Sequence, residues 1–554
     1  MIKKMKMDWF FVSGIICLFF VVLLFHTNIT LQKLTEAPSE KWGRTIKLGE
    51  TTVVSPPNLR SFNGGTDIVW ASADGIHQIK LGEDGKFLSK KIIKPSYMNF
   101  SKLISYQQAG DTVGWLEGPE LKITTLLSEN SKVKNVSSFL KGDIRDFELS
   151  KIKDKIYLAC VTKSELAIFR IEGGNLVPLA TETAKNEIVK LSMSIDNNGK
   201  PLVAYAVKTG KATFSIEAKL LKDDGSLYSL MKVHNVSADS TTNTGTESLT
   251  SIDTIFDGEK LWIAYEIGIS SSINMQGKVY YGYILPNGSK PGGTVDFKQL
   301  SFNGIDMNKT IISDFSFMKN VNSGYVEAYF GFAEKGSETM QIFETNLSEN
   351  ILTKTAMSNN DGWNKYPSAT ITADGTGAGF LKIVGGQNFE VYFTGDYEIY
   401  KNSINKATWT DFKAALSNNI IYLIIASLLV ILNIPYFLVL IFILILFLAF
   451  KSNWMEKNYN LAFILTGVAH LAIKTFVFSK MVGPNVAKEM PTYLSGGVAY
   501  FATFAAITLA SFALVYFHVQ KEADRNTLKE YFIAMVLDIM VSMFLLGPFV
   551  FDKI

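Results

Sequence analysis

Apolar positions along this chain follow two patterns. From residue 27 to about residue 417 they come in short runs that alternate with polar residues and stop at Gly, Asn and Asp; at the N-terminus and after residue 418 they join into unbroken stretches. The first pattern predicts half-buried strands. The second predicts membrane spans, since crossing about 30 Å of hydrocarbon takes about 20 apolar residues at 1.5 Å each.

The strand-like region repeats itself. One apolar segment recurs seven times: "DIVWAS" at Trp70, "TVGWLE" at Trp115, "IYLACV" at Ala159, "LVAYAV" at Tyr205, "LWIAYEI" at Tyr265, "VEAYFGF" at Tyr329 and "GFLKIV" at Leu381. A more alternating strand follows each copy, such as "LAIFRI" or "FEVYF", and another strand precedes it. Several units add a fourth, such as "KFLSKKII". Asp84-Gly85, Asp224-Gly225, Asp257-Gly258, Asn287-Gly288 and Asp374-Gly375 punctuate the units and are expected to form type I′ hairpin turns. Four antiparallel strands repeated seven times predict an all-β ectodomain, a β-propeller of seven four-stranded blades, over residues 44–404. A pair of β-sandwiches is the alternative. The last unit lacks a fourth strand, and Thr45–Val54 precedes the first unit with strand character; it is expected to close the ring as the outermost strand of unit seven.

Residues 1–8 carry Lys3, Lys4 and Lys6 ahead of an apolar anchor over 9–26. The lysines place the N-terminus in the cytoplasm, and 27–43 reads as a linker. The region 405–418 reads as an amphipathic juxtamembrane helix with Trp409, Phe412 and Leu416 on one face and a capping box from Thr408 to Asp411. A helical bundle follows over 419–554, with spans at about 420–450, 461–482, 494–519 and 531–551. The first of these contains Asn433 and Pro435 and is either one kinked span or a tight pair. The loops carrying Lys451 and Lys457, and Lys521, Arg525 and Lys529, both read as cytoplasmic. With the large domain outside, one crossing over 420–450 satisfies both and two crossings do not, while a half-membrane hairpin also preserves the parity. The expectation is five spans, a kink at Asn433 and Pro435, and an external C-terminus in a multi-pass cell-membrane protein.

Chemistry is sparse. Net charge is +3, so a nucleic-acid partner is not expected. Two cysteines exclude a disulfide framework. The five histidines include no pair at metal-ligand spacing, and there is no P-loop or nucleophile elbow. "SIDNNGKPLVAY" and "SADGIHQI" are only faintly like the Asp-box turn of sialidases. The external arginines are Arg44, Arg60, Arg145 and Arg170. No catalytic set, metal or cofactor is expected. Abundant lysine, scarce arginine and one external cysteine fit an exported bacterial envelope protein.

The spans hold the informative residues. His470 and Lys474 share one face of a predicted helix, and Asp538 lies at matching depth in another, each thirteen residues beyond a cytoplasmic cation. Ionisable groups at this depth face inward and pair, so a His470–Lys474–Asp538 cluster is expected, as a structural clamp or a proton or ion relay. Gly496, Ala499, Thr503, Ala506, Ala510 and Ala513 form a small-residue stripe, a packing face toward the bundle or another membrane protein. The leading expectation is a non-enzymatic scaffold presenting its propeller to a protein or envelope ligand and anchored in the lipid bilayer. A transporter component or sensor using the intramembrane cluster is the second, and a glycan-cleaving enzyme the third.

Overall fold

The computed structural model describes residues 9–551 apart from 126–132, 141, 238–245, 271–275, 287–292, 319–324, 350, 387, 482–496 and 520–526. The chain divides into a β unit, residues 37–406, and a helical unit formed by the residues on either side.

The β unit is a seven-bladed propeller of antiparallel sheets, six with four strands and one with five. The seven recurrent apolar segments become the second strands of blades 1 to 7: Gly65–Ser72, Thr112–Glu117, Lys155–Val161, Pro201–Lys208, Leu261–Ser270, Glu327–Glu334 and Thr376–Gly385. All of Gly65–Ser72 and Thr112–Glu117 is buried, because each blade packs between two others. Outer strands meet solvent; Phe87–Ile93 of blade 1 is exposed along nearly its whole length.

The first strands of consecutive blades lie against one another and are stitched by side chains. Asn58 Oδ1 accepts from the Gln108 amide at 3.1 Å, and Gln107 bonds both Phe147 O and Leu149 N at 2.9 Å. Asp146 Oδ2 accepts from Leu191 N at 3.1 Å, Ser192 Oγ from Thr254 N at 3.1 Å, and Asp253 Oδ2 from Phe317 N at 2.8 Å. Lys365 meets Asp314 at 3.4 Å between blades 6 and 7, and Ser368 Oγ donates to Pro57 O between blades 7 and 1. Backbone groups facing a neighbouring blade have no ladder partner, and these polar side chains supply one.

Ring closure follows the sequence expectation. Ile46–Thr51 pairs antiparallel with Asn388–Gly395 as the outermost strand of blade 7, Ile46 opposite Phe393 and Thr51 opposite Phe389. The stretch read as a linker over 27–43 is different. A helix, α1 (Trp9–Thr35), occupies its first part, and its last residues belong to the ring. Trp42 is fully buried with Tyr329 and Ile342 of blade 6 and Phe380 of blade 7, and Lys41 reaches Glu344 at 2.8 Å. A second short helix, α2 (Glu398–Ile404), buries Tyr400, whose hydroxyl donates to Arg44 O at 2.8 Å. An aromatic residue just before a strand has no periodicity to reveal it, so only tertiary packing assigns Trp42.

The turn expectation is corrected. At Asp84-Gly85, Asp224-Gly225 and Asp257-Gly258 only the glycine has positive φ, so these are not type I′ turns. Each Asp instead accepts a backbone N–H two residues on, as an Asx turn does. The type I′ signature, positive φ at both residues, occurs at Asn63-Gly64. Asn287-Gly288 lies outside the described residues.

The helical unit contains α1, α3 (Trp409–Lys457), α4 (Tyr459–Met481), α5 (Gly497–Val519) and α6 (Thr527–Phe551). The expected capping box starts α3: the Thr408 hydroxyl accepts from Asp411 N at 3.2 Å, and Asp411 accepts from Thr408 N at 2.9 Å. The juxtamembrane helix expected over 405–418 is not separate but the first turns of α3. Its buried face is Asp411, Ala415 and Asn419, and Asn419 exchanges hydrogen bonds with Thr30 of α1. Trp409 is instead 67% exposed, stacked on Phe412 with Lys413 over its ring. Packing against α1 selects this face, because Ala415 and Asn419 permit a closer approach than Trp409. The helix continues through positions 433 and 435. Among the described residues, its departure from helical φ/ψ falls at Lys451, where the apolar run has ended.

Four described stretches are long and apolar enough to cross a membrane: Val12–Thr35, Leu438–Met455, Tyr459–Val477 and Gly497–His518. The fifth expected span, α6, is a helix of 25 residues but carries Lys529, Glu530 and Asp538.

Candidate functional site

Three helices of this unit each contribute polar groups spaced by whole turns. His470 and Lys474 lie four residues apart on α4, Phe504 and Thr508 four apart on α5, and Tyr531 and Asp538 seven apart on α6. These spacings put each pair on one helix face. The rest of those faces is apolar: Phe463, Phe512, Val515, Met535 and Leu545 pack into one core.

The faces meet at Asp538. Its Oδ1 accepts from Lys474 Nζ at 2.8 Å and from the Thr508 hydroxyl at 3.0 Å, and its Oδ2 lies 2.8 Å from His470 Nε2. Lys474 Nζ also donates to Thr508 Oγ1 at 3.1 Å and to Phe504 O at 3.3 Å, giving its three protons three acceptors. Its ammonium lies 4.9 Å from the centre of the Phe504 ring. Since His470 Nε2 faces a carboxylate, it carries the proton, and Nδ1 accepts from the Tyr531 hydroxyl at 3.2 Å. His470, Lys474, Asp538 and Tyr531 have no exposed surface, and Thr508 has 4%.

The surroundings extend the polar column. Glu530 is buried and accepts the Tyr459 hydroxyl. Ser511, one turn from Thr508, and Ser542, one turn from Asp538, are fully buried and have no hydrogen-bond partner among the described residues. Chemically the arrangement does two things. It binds three helices through charge-assisted hydrogen bonds in a dry interior, where these are strong. It also connects a phenol, an imidazole, a carboxylate and an ammonium in hydrogen-bonded series.

The structure therefore brings His470, Lys474 and Asp538 into one network. The partners Thr508 and Tyr531 escaped the sequence reading, because a threonine and a tyrosine among apolar residues look like ordinary span residues. The small-residue stripe turns away from this network. Ala506, Ala510 and Ala513 are exposed, Ala499 and Thr503 half-buried, and Gly496 lies outside the described residues. Ala510 and Ala513 line an apolar cleft of about 440 Å³ with Ser13, Gly14 and Cys17 of α1. Nothing is described of the side chains of Asn433 and Pro435. Among the described residues no three His, Cys, Asp or Glu side chains gather as a metal-binding set.

The ring holds a second buried charge group. Glu266 of blade 5 accepts from Asp314 N at 2.9 Å, and Asp314 faces Lys365. Asp314 and Tyr366 both have positive φ, at strand irregularities in blades 6 and 7. Burial, reinforced by the Asp314 charge, pushes the Glu266 carboxyl up to about 7. A glutamate inside the apolar repeat "LWIAYEI" was the sequence signal for this group.

No protein-family model matches the chain, and no curated protein matches it. Solved structures resemble it in fold. Polysaccharide lyase Uly1 aligns with 9% identity and a TM-score of 0.39, over 62% of this chain and 90% of that one. BBS1N in complex with ARL6DN aligns with 10% identity and a TM-score of 0.38, over 64% and 96%. The GH93 α-L-arabinofuranosidase of Fusarium graminearum aligns with 10% identity and a TM-score of 0.34, over 54% and 94%. Likeness this distant says nothing of what the ring binds or does.

Proposed function

We propose that this chain is a non-enzymatic membrane protein that carries a β-propeller outside the cell and presents it to a protein or envelope ligand. The observation that supports this reading is the double tether of the ring. The chain enters at Trp42 and leaves at Tyr400, and the two ends are bonded together, Gly43 N to Gly395 O at 2.9 Å and the Tyr400 hydroxyl to Arg44 O. Entry and exit at one seam let a single ring be carried by apolar helices on both sides of it in the sequence. In this reading the N-terminus is cytoplasmic, residues 37–406 and the C-terminus are external, and α6 is the fifth span. The His470–Lys474–Asp538 network clamps α4, α5 and α6 together in the bilayer.

Cysteine labelling in cells tests the reading. Lys335→Cys in the ring should react with a membrane-impermeant maleimide in intact cells, and Ser452→Cys and Lys529→Cys only after permeabilisation. The full chain purified in mild detergent should retain a stoichiometric protein or envelope polymer and release no sugar from glycans. Labelling at Ser452→Cys in intact cells would overturn the topology, and glycan cleavage would overturn the non-enzymatic role.

A further inference from the structure

A clamp does not explain the chemistry of the intramembrane network. Buried ion pairs hold helices no better than well-packed apolar side chains of the same volume, and in a bilayer ionisable residues are costly. Yet α4 and α6 place four titratable groups in line. The Tyr531 hydroxyl meets His470 Nδ1, His470 Nε2 meets Asp538 Oδ2, and Asp538 Oδ1 meets Lys474. The residue before Tyr531 is another buried carboxylate, Glu530, bonded to the Tyr459 hydroxyl at the start of α4. At the level of the network, Ser511 and Ser542 hold buried hydroxyls with no partner among the described residues, the usual setting for an ordered internal water.

We propose that the His470–Asp538–Lys474 network is a proton-binding site, loaded from the Glu530 end of α6, and that loading parts Asp538 from Lys474. The transfer balances without any co-reactant. The Tyr531 hydroxyl passes its proton to His470 Nδ1 and takes one from a hydronium ion at the Glu530 end, which is left as water. The imidazole then gives its Nε2 proton to Asp538 Oδ2. One O–H bond forms on the carboxyl group, and no bond between heavy atoms breaks. The neutral carboxylic acid no longer attracts the ammonium, which keeps Phe504 O and Thr508 Oγ1 as acceptors. The charge of the group rises by one.

Every helix of the unit contributes to the surroundings of Asp538. α4 brings His470 and Lys474, and α6 brings Tyr531 and Glu530. α5 brings the Thr508 hydroxyl and the Phe504 carbonyl, and α3 brings Leu440 and Leu444 to the same core. From α1, His26 bonds the backbone of Phe544 and Leu545, beyond Ser542 on α6. Loading therefore weakens one contact among α4, α5 and α6 and leaves the others, so the helices gain freedom to shift without coming apart.

This inference rests on reading the helical unit as membrane-embedded, and its test is independent of the labelling that tests topology. The full chain in lipid nanodiscs is titrated from about pH 9 to about pH 5, the range in which histidines and perturbed carboxyls exchange protons, and followed by infrared difference spectroscopy. Ring carboxyls such as Glu266 and Asp146 also take up protons in this range, so the signal is the protonated-carboxyl band that the parent shows on acidification and Asp538→Asn lacks. Lys474→Met should shift its midpoint by about one pH unit or more. Tyr531→Phe and Glu530→Gln should leave the band in place but slow proton uptake after a pH jump by about tenfold or more, the usual effect of losing a relay group. A wild-type chain with no such band overturns the proposal. So does an Asp538→Asn chain whose acidification spectrum matches the parent's, or a spectrum unmoved by Lys474→Met should Asp538→Asn fail to fold. Either result leaves a fixed salt bridge and an intact topology.

Discussion

Replacing Asp538 by leucine is the sharpest perturbation of the helical unit. The carboxylate accepts from Lys474, Thr508 and His470 at 2.8, 3.0 and 2.8 Å, all inside a core without exposed surface. Its loss leaves the Lys474 ammonium with Phe504 O and Thr508 Oγ1 as acceptors and no counter-charge. Stranding one partner of a buried pair costs about 3–5 kcal/mol, and a lone charge at the centre of a membrane helix costs about 2.5–3.5 kcal/mol on the insertion scale. Asp538→Leu should therefore destabilise the bundle by about 3–3.5 kcal/mol, where the two estimates overlap. Asp538→Asn should cost about half of that, since a neutral oxygen still accepts hydrogen bonds at roughly half the strength. The double variant Asp538→Leu/Lys474→Met removes both charges and should return to within about 1 kcal/mol of the parent, as apolar replacements of buried pairs do. Unfolding in mixed micelles, read by Trp454 fluorescence and by protease sensitivity at the α3–α4 junction, Asn458, completes the cycle. The coupling between the two positions should reach about 2 kcal/mol or more. An Asp538→Leu variant within about 1 kcal/mol of the parent, or a double variant worse than either single one, refutes the pairing argument.

Other outcomes follow from the ring. Trp42→Ala empties a site closed by Tyr329, Ile342 and Phe380 and should cost about 3–5 kcal/mol, seen as a lowered unfolding midpoint of the propeller; a change below about 1 kcal/mol would show that the segment is only laid on the surface. Deleting Ile46–Thr51 should expose the Asn388–Gly395 edge and make blade 7 the first site of proteolysis; cleavage starting in blade 3 or 4 would contradict closure at this seam. Glu266 titrates at about 7 in the fold against 4.5 as an ordinary side chain. The folded state holds that proton where the unfolded chain has released it, so stability is full below about pH 4.5 and falls by about 3 kcal/mol as pH rises to 7. Glu266→Gln should flatten that slope in urea melts run across the same pH range; an unchanged slope would move the effect to another group.

Much of this architecture was legible in local pattern. Seven apolar segments announced seven second strands, because a strand packed on both faces must be apolar on both. The spare strand Thr45–Val54 and the incomplete last unit announced the seam, because the spare strand supplies the outermost position that the last blade lacks. Equal depth and inward-facing charge announced His470, Lys474 and Asp538. The rest depends on which surfaces meet. Trp42 and Tyr400 are single aromatic residues outside any periodic run, and only the blades beside them make them core. The Asp-Gly dipeptides set turn positions, but an Asx turn differs from a type I′ turn by the backbone twist that the two strands impose. The α3 face of Asp411, Ala415 and Asn419 is less apolar than that of Trp409, yet it packs, because α1 approaches where the side chains are small. The blade-to-blade bonds of Asn58, Gln107, Asp146, Ser192 and Asp253 recur in space without recurring as a motif. Many polar side chains can satisfy a backbone group across a gap, so the chain need only place one there, and the residue type is left free.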